Sequence, residues 1–94
     1  MRYYLIYSKS FRSQVQQLIK VSPILKTQIL ATLELLLYDP FSDFLSTQRN
    51  GDIFTTKITK GVKLFWEQSS TQKRYIHLLT LSGYERTNKE IYTR

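Results

Sequence analysis

The sequence predicts an α+β fold of two layers in the order β-α-α-β-β-β, with a helical hairpin packed on one face of an antiparallel sheet. Three observations predict it. Apolar residues recur at helical spacing through the first half, where Pro23 and Pro40 bracket one segment. Apolar and polar residues alternate with period two between Ile53 and Leu81. All three glycines, Gly51, Gly61 and Gly83, fall in that second half, where they punctuate short strands.

Residues 2 to 7 are rich in aromatic and β-branched side chains and read as a first strand. Ser8 or Ser10 then caps a helix whose buried stripe is Phe11, Val15, Leu18 and Ile19, at i, i+4, i+7 and i+8. Ser22-Pro23 reads as a cap followed by proline at the first helical position, where its missing N–H has no partner to lose. The second helix carries Ile24 or Leu25, Ile29, Leu33 and Leu36 or Leu37, and ends at Tyr38 because Pro40 disfavours helical geometry at Asp39. So short a connection folds the two helices into an antiparallel hairpin. After a loop over Phe41 to Ser46 and a turn at Asn50-Gly51, strands are predicted over Ile53 to Thr59, Val62 to Gln68 and Arg74 to Leu81. Lys60-Gly61 and Ser69 to Gln72 supply the turns between them.

At 94 residues, with 41% hydrophobic positions and thirteen aromatics, residues 1–94 are read as a single domain with one core. The absence of cysteine leaves no disulfide framework, no thiolate zinc site and no thiol nucleophile, and fits a reducing cytoplasm. No apolar run approaches the roughly 20 residues that cross a bilayer, and Met1 to Tyr7 is too short and too quickly polar for a signal peptide. A cytoplasmic protein that does not engage a membrane is expected. Net charge is +7, and residues 44 to 94 hold nine cations against four anions, whereas residues 1 to 43 hold five against three. That asymmetry favours a polyanionic partner, nucleic acid or an acidic protein.

Alternation places Lys57 with Thr55 and Thr59 on one strand face, and Lys63 with Phe65 on one face of the next, opposite Val62, Leu64 and Trp66. One sheet face is then cationic and the other apolar, which leaves the cationic face open. Lysines and a phenol such as Tyr92 suit a phosphodiester: RNA supplies its own nucleophile in the 2'-OH and needs from a protein only proton transfer and charge stabilisation. Lys57 also reads as an edge-strand lysine that blocks aggregation, and Arg86 as a surface partner of Glu85 or Glu90. His77 is the one histidine, and without partners it reads as a sheet-face residue rather than a catalyst. The carboxylates are too scattered for a metal site, so no metal and no cofactor are expected. Phe65 and Tyr84 could stack on bases, or pack in the core.

Ser10-Phe11-Arg12, Leu36-Leu37-Tyr38-Asp39-Pro40-Phe41 with Leu45, Val62-Lys63-Leu64-Phe65, and Gly83 followed by Glu85-Arg86 and Glu90-Ile91-Tyr92 together resemble the RelE/ParE superfamily of bacterial toxins. The resemblance spans nearly the whole chain. It implies the RelE-like fold, and the toxin of a type II toxin-antitoxin pair that cleaves mRNA in the ribosomal A site and is held inactive, as a hetero-oligomer, by a cognate antitoxin. By position it implies catalytic roles for Lys57, Lys63, Arg86 and Tyr92, with Tyr92 as general base or stacking residue and Arg86 at the leaving 5'-oxygen. Arg49, Lys60, Phe65 and Tyr84 are the expected RNA-binding residues.

Lys63 stands where the family usually has arginine, and lysine lacks the bidentate phosphate contact of a guanidinium. The family's Lys-Leu-x-Gly turn is reduced to Gln48-Arg49-Asn50-Gly51, and no histidine adjoins Gly83, which favours the tyrosine-dependent chemistry. Two alternatives stay open: a ParE-like protein that inhibits DNA gyrase without cutting RNA, and an inactive relic that only binds its antitoxin.

Overall fold

The computed structural model describes residues 2–82. Its elements are β1 (Tyr4–Tyr7), α1 (Lys9–Val21), α2 (Pro23–Tyr38), a single 3-10 turn (Asp43–Leu45), β2 (Gln48–Asn50), β3 (Ile53–Thr59), β4 (Val62–Gln68) and β5 (Tyr75–Ser82). Ser8 caps α1 by accepting the Phe11 N–H at 3.0 Å, and also donates its hydroxyl to the Leu79 carbonyl at 2.9 Å. One side chain thus starts the helix and ties it to the sheet. Pro23 opens α2 as its spacing predicts, but Ser22 makes no side-chain cap bond there.

The strands form one sheet in the order β1-β5-β4-β3-β2. The two-layer α+β architecture is the one expected, with two additions to the sheet. β1 joins β5 in parallel, in the register Tyr4 with Tyr75 through Tyr7 with Leu78, so the sheet is mixed rather than wholly antiparallel. β2 pairs with the start of β3, and residues 48 to 50 are therefore strand where the sequence suggested only an approach to a turn. Gly51-Asp52 forms that turn, one residue later than expected, with Gly51 at φ +67°. Gly61 in the β3–β4 turn sits at φ +87°, with open space around a would-be Cβ, so its requirement is conformational rather than steric.

Both helices cover one face of the sheet. Phe11 and Leu18 of α1, with Leu25, Ile29, Leu33 and Leu36 of α2, bury against Phe54, Leu64, Trp66, Ile76, Leu78 and Leu81. Trp66 stacks on Phe54 with centroids 4.5 Å apart, and Phe41 closes on Phe54 edge-on at 5.4 Å. The indole N–H of Trp66 finds its acceptor in the fully buried Thr56, Nε1 to Oγ1 2.8 Å. Thr47 gives its one hydroxyl proton to the Pro40 carbonyl at 2.7 Å, so at 2.9 Å Thr56 must be the donor to Thr47. This relay satisfies every buried hydroxyl along it and fastens the segment after α2 to the middle of the sheet.

Two irregularities shape the opposite face. The β3–β4 register shifts between Lys57 and Thr59, and the β4–β5 register between Phe65 and Trp66. Bulges bend a strand and re-aim the side chains beside them. Past the second shift, Gln14 of α1 accepts both the Leu81 N–H at 2.9 Å and the Thr80 hydroxyl at 3.0 Å, so α1 also holds the end of β5. No helix among the described residues is long and apolar enough to cross a membrane.

Candidate nucleic-acid interface

The face that the helices leave open is built from the alternate residues of β3, β4 and β5. Lys57 and Lys63 are direct cross-strand partners in the β3–β4 ladder, and both are exposed. Opposite positions bring Cβ atoms to about 4.5–5.5 Å, where like charges are destabilising. Folding alone gives no reason to place two ammonium groups there. β2 pairs β3 only as far as Thr55, so Lys57 lies past the end of that pairing, on a stretch of β3 that β4 alone supports.

Lys60, in the β3–β4 turn, joins the pair. Lys57, Lys60 and Lys63 line one depression of about 390 Å³, whose remaining walls include Gln48, Thr55 and Ser46. It contains no carboxylate, and among the described residues none of the three lysines has an acidic partner within salt-bridge distance. Three ammonium groups without an acidic partner among the described residues, set around hydroxyl and amide side chains, have the chemistry that suits phosphate oxygens. The β5 residue Ser82 pairs with Lys63, so the described chain ends beside this cluster.

Of the expected site residues, the structure brings Lys57, Lys60 and Lys63 together and sets Phe65 next along the same face of β4, half-buried and cross-strand to Thr55 and Thr80. Arg49 does not join them. It pairs with Phe54 rather than Thr55, places its guanidinium 5.7 Å from the Phe54 ring centroid and donates to the Gly51 carbonyl at 2.8 Å. Its neighbours are those of a second depression, at the other end of β4, with Asp52, Glu67 and His77. Tyr84, Arg86 and Tyr92 lie outside the described residues.

His77 has the sheet-face place expected for it, opposite Glu67, with Nδ1 4.0 Å from the carboxylate. Sequence reasoning singled out neither Glu67 nor this pairing. The signal available was alternation, which puts Glu67 on the face of Lys63 and Phe65 once β4 is recognised.

No protein-family model matches the chain, and no curated protein matches it. Solved structures do. A double arginine-to-alanine mutant of the E. coli toxin RelE in the free state superposes with a TM-score of 0.63 at 18% identity, over 99% of this chain and 93% of that one. A copper-bound leucine-to-serine mutant toxin from Helicobacter pylori gives 0.61 at 16% identity, over 89% and 97%. The toxin-antitoxin complex RelBE2 from Mycobacterium tuberculosis gives 0.53 at 14%, over 87% and 98%. The fold is that of the RelE-like toxins: two helices against one face of a five-stranded mixed sheet, with no helix on the other face among the described residues.

Proposed function

We propose that the protein is the toxin of a toxin-antitoxin pair and acts in the cytoplasm as a ribosome-dependent endoribonuclease on mRNA. The observation that carries this reading is the Lys57–Lys63 cross-strand pair, joined by Lys60 in a depression without a carboxylate. A phosphodiester laid there meets cations on both strands. The toxin fold adds support from the comparisons.

In the proposed reaction a base, assigned to Tyr92, removes the 2'-OH proton. The freed oxygen attacks the adjacent phosphorus while Lys57 and Lys63 neutralise the charge that builds on the non-bridging oxygens. Arg86 donates a hydrogen bond to the departing 5'-oxygen, which takes a proton from water to leave as the 5'-OH. The P–O5' bond breaks as the P–O2' bond forms, and the products are a 2',3'-cyclic phosphate and a 5'-OH. Each positioned proton-transfer group contributes on the order of 10²–10⁴ in rate. Lys60 holds flanking phosphate, and Phe65 and Tyr84 offer ring faces to bases.

The partner is an antitoxin, consistent with the RelBE2 complex among the structural neighbours. An apolar groove between α1 and α2, lined by Tyr7, Val15, Ile19 and Leu30 with Arg12 and Lys26 in its walls, suits an amphipathic acidic segment.

The test is induction of the chain without its partner, followed by primer-extension mapping of mRNA. Lys63→Ala, Arg86→Ala and Tyr92→Phe should each reduce A-site cleavage and growth arrest. Full toxicity of the triple variant would sink the assignment, and intact mRNA with a DNA-damage response would point to gyrase instead.

A further inference from the structure

The open face is not uniformly basic. Lys63, Phe65 and Glu67 follow one another at alternate positions of β4, about 6.8 Å apart, so a carboxylate lies roughly 14 Å along the strand from the lysine pair. Glu67 is 39% exposed and makes no side-chain hydrogen bond among the described residues, because the His77 Nδ1, at 4.0 Å, is beyond hydrogen-bond reach. Among the described residues both of its oxygens are therefore without a donor and can act as acceptors. Asp52 lies in the same depression of about 430 Å³, and the one guanidinium there, Arg49, is already directed to the Gly51 carbonyl and the Phe54 ring.

Two carboxylates repel phosphate, so this end of the face cannot be a continuation of the backbone track. What it can accept is the N–H edge of a base. We infer that Glu67 is a specificity-determining residue that reads a guanine one to two nucleotides from the phosphate held by Lys57 and Lys63, an inference that rests on the RNA reading above. The choice among bases follows from donor counts. A carboxylate only accepts, and guanine alone presents two adjacent donors on its Watson–Crick edge, N1–H and the N2 amine, whereas adenine and cytosine present a single amine. His77, which carries a ring N–H in either tautomer, stands opposite Glu67 to donate to O6. Phe65 lies between the two ends as a stacking surface. The arrangement also gives the bound strand a direction, phosphate toward the lysines and base toward Glu67.

The test uses the full-length protein and short uridine RNAs carrying one G, A, C or inosine, with 2'-O-methyl groups to prevent cleavage. Binding should be on the order of 10-fold tighter for the guanosine RNA than for the adenosine or cytidine RNAs. Inosine, which lacks the N2 amine, should lose most of that advantage. Glu67→Gln, nearly the same shape, should collapse the difference among bases, while Lys63→Ala should weaken every RNA alike. Equal binding of all four RNAs by the unmodified protein, or a guanine preference that survives Glu67→Gln, overturns the inference and leaves lysine-dependent RNA binding standing. If no RNA binds at all, this inference falls, whereas the proposed function, which places the mRNA on the ribosome, is decided by cleavage on programmed ribosomes.

Discussion

The inner and outer faces of this sheet are made by alternate residues of the same strands, yet they satisfy their polar groups in opposite ways. On the inner face Thr56 is fully buried and fully engaged, accepting from Trp66 and donating to Thr47. On the outer face its chain neighbour Lys57 stands directly opposite another lysine. The inner arrangement is what stability selects. The outer one works against it, by roughly 0.2–1 kcal/mol for a like-charged cross-strand pair, and is reasonable only if something anionic completes it.

The contrast can be broken from the inside first. Trp66→Ala should destabilise the fold by about 3–5 kcal/mol, since it removes a fully buried indole and opens a cavity beside Phe54 and Phe41, as denaturant unfolding would show. Lys63→Ala should do the reverse: stability within about 0.5 kcal/mol of the parent, but RNA cleavage reduced by on the order of 10². Thr56→Val keeps shape and removes the hydroxyl, which strands the Trp66 N–H and should cost about 1–3 kcal/mol in the same unfolding measurement. The smallest effect sharpens the comparison most. Lys57→Glu converts the like pair into an opposite pair and should raise stability by about 0.2–1 kcal/mol while abolishing RNA binding, and a fall in stability would show that the lysines do not repel.

Those two faces also differ in how far the sequence disclosed them. Period-two alternation assigned Lys57, Lys63 and Phe65 to one side and Phe54, Leu64 and Trp66 to the other, because that period is a local property of an extended chain. Proline, serine and glycine positions likewise placed α1, α2 and the Lys60-Gly61 turn. The parallel partnership of β1 with β5 was not legible. It joins residues some 71 positions apart, shown by the bond from Ser8 to Leu79, and alternation specifies a strand's face, not its neighbour. β2 was missed because Gln48, Arg49 and Asn50 have no apolar pattern; backbone pairing with β3 alone makes them a strand.

For the site, alternation could put lysines on one face but could not give register. That Lys57 meets Lys63, rather than the adjacent Leu64 to which the Thr59–Val62 register alone would lead, depends on the register shift after Lys57, which no local pattern encodes. The same limit explains Arg49: the family resemblance put it among the RNA contacts, whereas its pairing with Phe54 sends it to the Glu67 and His77 end. Arg86 and Tyr92 enter only through family resemblance, and their roles remain part of the proposal.

The most direct measurement is single-turnover cleavage of mRNA on programmed ribosomes, with the product ends identified, for the parent protein and Lys63→Ala. The account predicts one cut in the A-site codon with 2',3'-cyclic phosphate and 5'-OH ends, slowed on the order of 10²-fold by the substitution. Intact mRNA with the parent protein, or an unchanged rate with Lys63→Ala, would contradict it.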